Sequence, residues 1–414
     1  MLNRISKKIN AMKNIKLVSV GVFVLIILSV NLGFTQTAED NPYVVILSMD
    51  GFRWDYPAKA NTPNLDFIAQ NGVRADAFIP CFPTKTFANH YTMATGLYAE
   101  THGIILNKFF ANDLGKKYKI TNSEFYSGEP IWATAEKQNV RSASFFWLGS
   151  EAPVEKSFPT YYLEYNESIP FENRIDSVIS WLQLPENERP HLIMWYMHEP
   201  DAQGNKYGPN SLEVKNTVEY LDSLIGVFYK KVQGLPNANN INLIFTSDHG
   251  MSEISADKSV YLNEYLKEEW FNYVDGGSPI YLFDVKDEYY DKVYTVLKSI
   301  PHVNVWKRED VPARMHYSNN VRIKDFVLLA DSSWSVWPSK EKQIFESGAH
   351  GYDNMNSDMH AIFYAVGPAF KTGYKSKAIN NVDLYPLVCK ILNLTPAKNE
   401  GSIENVLPML ECSH

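Results

Sequence analysis

Cysteine is scarce in this chain. Only Cys81, Cys389 and Cys412 occur among 414 residues, too few and too far apart for a zinc ribbon. The odd count leaves one thiol over. The expected arrangement is a Cys389–Cys412 staple of the tail, with Cys81 a buried thiol. Positive charge is also in short supply: 39 Lys and Arg face 47 Asp and Glu, a formal net charge of −8. A nucleic-acid backbone binder needs a basic stripe, so no nucleic-acid duplex is expected as a partner. The acidic balance says nothing against a small anionic substrate, because a bound metal reverses the local field. No apolar run reaches the ~20 residues of a membrane span. The longest, residues 17–30, follows Lys7, Lys8, Lys13 and Lys16 and gives way to a small, polar exit. That order reads as a secretory signal over residues 1–36, with an uncleaved anchor as the alternative. The run has no cysteine at its end, which argues against a lipoprotein anchor. Export to a periplasmic or extracellular space is expected, with no stable membrane insertion once the signal is cleaved. Repeats and low-complexity stretches are absent.

Hydrophobic residues are plentiful. They make up 45% of the chain and aromatic residues 14%, enough for one large core. Residues 37–414 are therefore read as a single domain. Strand-like runs alternate with helical patterns, the signature of an α/β fold with a mostly parallel sheet. Thr62-Pro63 opens a helix that Gly72 closes. Residues 171–184 and 211–232 are amphipathic. Residues 360–366 read as a late strand and 381–392 as the last helix. Residues 261–345 mix short apolar runs with a helical pattern near 287–299, and are expected to form a small α+β insertion.

Three apolar runs end at or just before an aspartate. Residues 43–49 lead into Asp50, residues 191–197 lead after three residues into Asp201, and residues 241–247 lead into Asp248-His249. Short β-branched and aromatic runs of this kind are buried parallel strands. In an open α/β sheet, ligands bind outside the carboxyl ends of the strands. Three carboxylates brought to that edge repel one another unless a cation sits between them, so the pattern indicates a metal site. Asp248 and His249 offer an oxygen and an imidazole ligand from one turn. His350 lies in a loop flanked by glycine before the late strand, and joins the candidates. Thr86 falls near the start of a helical run ending at Gly96. As an ordinary residue it is an N-cap. As a functional one it is a nucleophile, which needs activation by a base or a metal, and a helix N-terminus favours a phosphate.

With these residues in view, the chain resembles the nucleotide pyrophosphatase/phosphodiesterase family of the alkaline phosphatase superfamily. The similarity runs from about residue 43 to 410. It is carried by Met49-Asp50-Gly51-Phe52-Arg53, Thr84-Lys85-Thr86-Phe87, Thr95-Gly96-Leu97-Tyr98, Asn107-Lys108, Gly128-Glu129-Pro130, Phe145-Phe146-Trp147, Glu199-Pro200-Asp201, Ser247-Asp248-His249-Gly250-Met251 and His350-Gly351. The resemblance implies an alkaline-phosphatase-like central sheet with helices on both faces, two Zn2+ ions and a small-molecule nucleotide substrate. It implies that Asp50, Thr86, Asp248 and His249 hold one zinc, and that Asp201 and His350 with one further histidine hold the other. It also implies that Thr86 forms a nucleotidyl-threonine, which is then hydrolysed to release a nucleoside 5'-monophosphate, and that Asn107 donates to the phosphoryl oxygen. Phe87 and Tyr165 would sandwich the base, with Lys108 and Trp147 lining that pocket.

The match breaks at one ligand. Where the family has histidine four residues after Asp201, this chain has Asn205. An amide oxygen is a weaker zinc ligand than an imidazole nitrogen, so the second site is expected to bind its metal more weakly. Three readings stay open: Asn205 is tolerated, the second site is half-filled and the enzyme slow, or the chain binds nucleotides without turnover. A lipid-headgroup phosphodiesterase is the alternative within the superfamily.

Overall fold

The computed structural model describes residues 42–344 and 346–411. The signal-like segment and Cys412 lie outside the described residues. In chain order the elements that build the site are β1 (Tyr43–Met49), α1 (Pro63–Asn71), β2 (Val73–Ala75), α2 (Thr86–Thr95), β3 (Ser142–Phe145), β4 (Tyr161–Leu163), α3 (Phe171–Leu182), β5 (Leu192–Met197), α4 (Asp201–Tyr207), α5 (Leu212–Gln233) and β6 (Ile241–Thr246). They continue with β7 (Phe271–Gly277), β8 (Ile280–Val285), α6 (Tyr290–Ser299), β9 (Val303–Lys307), β10 (Phe326–Ala330), β11 (Phe363–Val366), β12 (Tyr374–Ser376) and α7 (Leu384–Ile391).

Eight strands form the main sheet in the order β12-β2-β11-β6-β1-β5-β3-β4. β1 pairs in parallel with β5 and β6, and β3 in parallel with β4 and β5. Only β11 runs against its neighbours, β6 and β2. Every residue of β1, β5 and β6 is buried. Alternate side chains go to opposite faces, as the pleat requires. Val44, Ile46, Met194 and Ile244 join the core beneath α2 and α7. Val45, Leu47, Trp195 and Phe245 join the core beneath α1, α3 and α5. With both faces covered, these strands read as unbroken apolar runs in the sequence.

α5 packs through Val214, Val218, Leu221, Ile225, Phe228 and Val232, one apolar stripe at steps of three and four. Ser211 Oγ caps it by accepting from Val214 N at 3.2 Å. α1 starts at Pro63 as expected, but Thr62 does not cap it. Asp222 of α5 accepts instead from Asn64 N (3.1 Å) and Leu65 N (2.8 Å), so a carboxylate from another helix satisfies the open donors. The late strand starts at Phe363, and the last helix proper starts at Leu384 after a tight turn over Asn381–Asp383. Within residues 271–330, β7-β8-β10-β9 form a separate antiparallel sheet. It shares a third core with α6 through Phe283, Val293, Leu297 and Leu328. Cys81 and Cys389 are both buried thiols.

Candidate metal centre

Parallel pairing with matched register brings the carboxylates together. Met49 sits opposite Met197, and Ser48 opposite Thr246. The chain therefore leaves β1, β5 and β6 at one edge, and Asp50, Asp201 and Asp248-His249 follow there. Backbone bonds hold the ends: Asp50 N donates to Met197 O and Asp201 N to Asp50 O, each at 2.9 Å. Gly51 adopts φ 68°, and a Cβ there would lie 2.9 Å from the Cβ of Asp201. Only glycine lets these two segments approach so closely.

Two overlapping donor groups result, Asp50-Asp248-His249 and Asp201-His249-His350. His249 Nε2 lies 3.3 Å from Asp50 Oδ1, 3.2 Å from Asp248 Oδ2 and 3.2 Å from Thr86 Oγ1. Its ring stacks on that of His350 with centroids 3.6 Å apart. His350 Nε2 is 3.8 Å from Asp201 Oδ1. The other ring nitrogens are engaged with backbone carbonyls, His249 Nδ1 with Gly250 O and His350 Nδ1 with Thr84 O, each at 2.9 Å. That arrangement turns both Nε2 atoms inward as the available lone pairs.

The electrostatics of the cluster call for a cation. Asp50 Oδ1, Asp201 Oδ1 and Asp248 Oδ2 are buried without a hydrogen-bond partner. Burial, then repulsion by Asp248, raises Asp50 well above the usual carboxylate range. Burial and Asp201 push Asp248 up to about 7. Burial and Asp50 raise Asp201. Burial lowers His249 to about 3, and burial together with His249 holds His350 well below its ordinary value. Neutral imidazoles beside carboxylates with unpartnered oxygens are the donor set a divalent metal requires. The residues present therefore fit a divalent metal.

Thr86 opens α2 and is 7% exposed, with its hydroxyl facing His249. Asn107 Oδ1 accepts from Phe87 N at 3.1 Å, which commits the amide oxygen and leaves the NH2 group to donate. Asn205 lies one helical turn after Asp201 on α4, and its Nδ2 donates to Asp201 Oδ2 at 2.7 Å. The structure thus brings Asn205 to the carboxylate that the resemblance makes a ligand. Phe87 is half-buried and meets Tyr118 in an edge-type contact, ring centroids 6.2 Å apart. Tyr165 is 46% exposed and stands 6.1 Å from Tyr196. Lys108 lines a cavity of about 280 Å³ together with Lys85, Asn107, Ser278 and Glu346. Trp147 departs from expectation. It is 0% exposed, its Nε1 donates to His90 O at 3.2 Å, and it presents no face to a base. It packs behind the site.

Sequence reasoning missed two supports. Tyr196 donates its hydroxyl to Asp50 Oδ2 at 2.6 Å. His90 bridges Thr86 O and Ser48 Oγ, each at 2.9 Å, and lies 3.5 Å from Asp248 Oδ2. The available signal for His90 was its place four residues after Thr86, on the same face of α2.

The pattern of type I phosphodiesterase/nucleotide pyrophosphatase matches residues 44–353. Human ectonucleotide pyrophosphatase/phosphodiesterase family member 5 is 37% identical over 395 residues, covering 94% of this chain and 82% of that protein. A venom phosphodiesterase of Naja atra is 37% identical over 380 residues, and human family member 1 is 38% identical over 381. Each covers 88% of this chain, but the chain spans only 46% and 41% of their lengths. Among solved structures, murine family member 5, as an inactive threonine-to-alanine variant in complex with AMP, superposes with a TM-score of 0.86 at 38% identity. That match covers 89% of this chain and 100% of the murine chain. The fold is alkaline-phosphatase-like, and the chain belongs to the type I phosphodiesterase/nucleotide pyrophosphatase family of hydrolases.

Proposed function

We propose that this chain is an exported, zinc-dependent hydrolase of nucleotide phosphodiester or pyrophosphate bonds. It works through a nucleotidyl-threonine on Thr86 and releases a nucleoside 5'-monophosphate. The observation that carries the reading is Thr86 Oγ1 at the start of α2, 3.2 Å from His249 Nε2, beside three carboxylates with unpartnered oxygens. Asp50, Thr86, Asp248 and His249 would hold one zinc, and Asp201, Asn205 and His350 the other. Bound zinc supplies a lowered hydroxyl pKa and neutralisation of charge on the phosphoryl and leaving oxygens.

The protein groups do the rest. Thr86 Oγ1 forms the bond to phosphorus as the bond to the leaving oxygen breaks in line. The N-terminus of α2 and the Asn107 NH2 group face the charge that builds on the phosphoryl oxygens. Water then cleaves the Oγ–P bond and restores Thr86. Tyr196 and His90 hold Asp50 and the first turn of α2 in place throughout. Export is supported by the basic-apolar start of the sequence and by ecto- and venom-enzyme relatives. No helix among the described residues is long and apolar enough to cross a membrane. The murine relative that is inactive after a threonine-to-alanine change, yet holds AMP, supports both the nucleophile type and the product class.

The test is intact-mass spectrometry of protein acid-quenched during turnover of a nucleotide ester. A nucleotidyl adduct on the peptide carrying Thr86 is expected, and its absence under conditions of active turnover rules out the covalent route. Metal removal gives a second expected outcome. Three crowded carboxylates, those of Asp50 and Asp248 buried, destabilise the metal-free fold, so added zinc raises the melting temperature progressively with its concentration. An unchanged melting temperature across a zinc titration contradicts the metal assignment. Stacking by Phe87 and Tyr165 gives a third. Alanine at either position is expected to raise KM about 5–150-fold with kcat changed less than about threefold, from ~1–3 kcal/mol per stacked base. Steady-state kinetics check it.

A specific observation favours a second reading. The Asn205–Asp201 hydrogen bond engages Asp201 Oδ2 and leaves only Oδ1 of that carboxylate to a second ion. A chain with a poorly filled second site would bind nucleotide, form the adduct and release it slowly.

A further inference from the structure

His350 is delivered to the cluster by a loop rather than by the main sheet. Only the two-residue pairing of Gly348–Ala349 with Ser252–Glu253 precedes it. Something else must fix its imidazole, and the two residues just before Thr86 supply four hydrogen bonds to residues 350–352. Thr84 O bonds His350 Nδ1 at 2.9 Å. Thr84 Oγ1 accepts from Gly351 N at 2.9 Å and donates to Tyr352 O at 3.0 Å. Lys85 Nζ donates to His350 O at 2.8 Å, and to Ser278 O at 3.2 Å in the loop between β7 and β8. Gly351 takes φ 116°, and a Cβ there would come within 2.5 Å of Lys85 Cε. The glycine therefore leaves the passage through which the lysine reaches the loop. Thr84 is fully buried, and the Lys85 ammonium feels the charges of Asp201 and Glu346 without a direct ion pair to either among the described residues. Neither side chain has a role in the chemistry proposed above.

We infer that Thr84 and Lys85 are positioning residues that clamp the His350 loop to the start of α2. The clamp sets where the second-site imidazole stands relative to the nucleophile. Because residues 84 and 85 are contiguous with Thr86, the His350 donor and the Thr86 hydroxyl move as one body. Hydrogen bonds of this kind to a ligand fix its ring orientation and tautomer, and their loss typically weakens metal binding about 10–100-fold.

This inference rests on the two-metal reading, so it is tested where a second ion is held firmly, in the Asn205→His background. Zinc affinities at both sites are read by chelator competition, with melting temperature measured alongside. Thr84→Val removes the hydroxyl at nearly constant shape. It is expected to weaken the second zinc about 10–100-fold while the first changes less than about threefold, and Thr84→Ser is expected to restore the second to within about threefold. Lys85→Met gives a test of sign if the valine variant does not fold. Loss of a nearby positive charge alone tightens both ions, whereas loss of the clamp weakens the second. Equal weakening at both sites, a lower melting temperature with both affinities unchanged, or tighter binding at both sites in Lys85→Met each overturns the clamp. If the Asn205→His protein takes up one ion or none, the two-metal reading fails, and the inference falls with it.

Discussion

Thr86→Ala is expected to lower the turnover of nucleotide esters by about 10⁴-fold or more, the scale on which removal of a covalent nucleophile acts. Nucleotide binding should survive, because the aromatic and Asn107 contacts do not involve the hydroxyl. The fold should survive as well. Alanine is the best helix former, and Thr86 sits in the first turn of α2 with Asn89, His90 and Asn107 holding the surrounding backbone. Some loss of affinity for the first ion is expected, since the hydroxyl lies with Asp50, Asp248 and His249. The change therefore separates binding from chemistry. Thr86→Ser, which keeps an oxygen, should retain measurable turnover. Turnover of the alanine variant above about one per cent of the parent at saturating zinc would mean that water attacks phosphorus directly and that Thr86 only caps a helix.

Asn205→His is expected to have the second-largest effect. Residues 201 and 205 lie one turn apart on α4, on the same face, and the present amide already reaches the Asp201 carboxylate. An imidazole there converts an oxygen-rich donor set into one that zinc prefers. Second-ion affinity should rise about 10–100-fold, on the scale of changes around a bound ligand. Turnover at limiting zinc should rise with it. The two half-reactions should respond differently. The ligands assigned to the first ion are all in place, so adduct formation in the parent is expected to be the faster step. The parent should then show a burst of leaving group followed by slow release, and the histidine variant a smaller burst and a faster steady state. The burst reading fails if leaving-group departure depends on the second ion equally, in which case both phases speed up together. If parent and variant bind zinc alike, Asn205 is not part of the site.

Most of this arrangement was legible because parallel strands buried on both faces leave continuous apolar runs. The residues just after each run must lie at one edge, so the sequence alone places Asp50, Asp201 and Asp248-His249 together. The reversed direction of β11 was not legible, because the run Phe363–Val366 is equally apolar read either way. The cap on α1 was missed because its carboxylate, Asp222, is more than 150 residues away in the chain. Trp147 illustrates a different limit. An aromatic next to a glycine-containing loop has the same composition whether it faces a ligand or the core, and only its burial decides. Tyr196 and His90 were hidden for a related reason. Each sits inside an apolar periodic run, where periodicity assigns it to packing, and its polar atom finds the site only once strand and helix are assembled.

Together these residues should make a working phosphodiesterase. The decisive experiment is hydrolysis of the p-nitrophenyl ester of thymidine monophosphate by the protein across a zinc titration, with Asn205→His measured in parallel. Nitrophenolate release should rise with zinc, and the variant should saturate at lower zinc than the parent. No release from either protein at saturating zinc, while AMP still binds, would contradict the hydrolase assignment and leave a nucleotide-binding protein in the scaffold of a hydrolase.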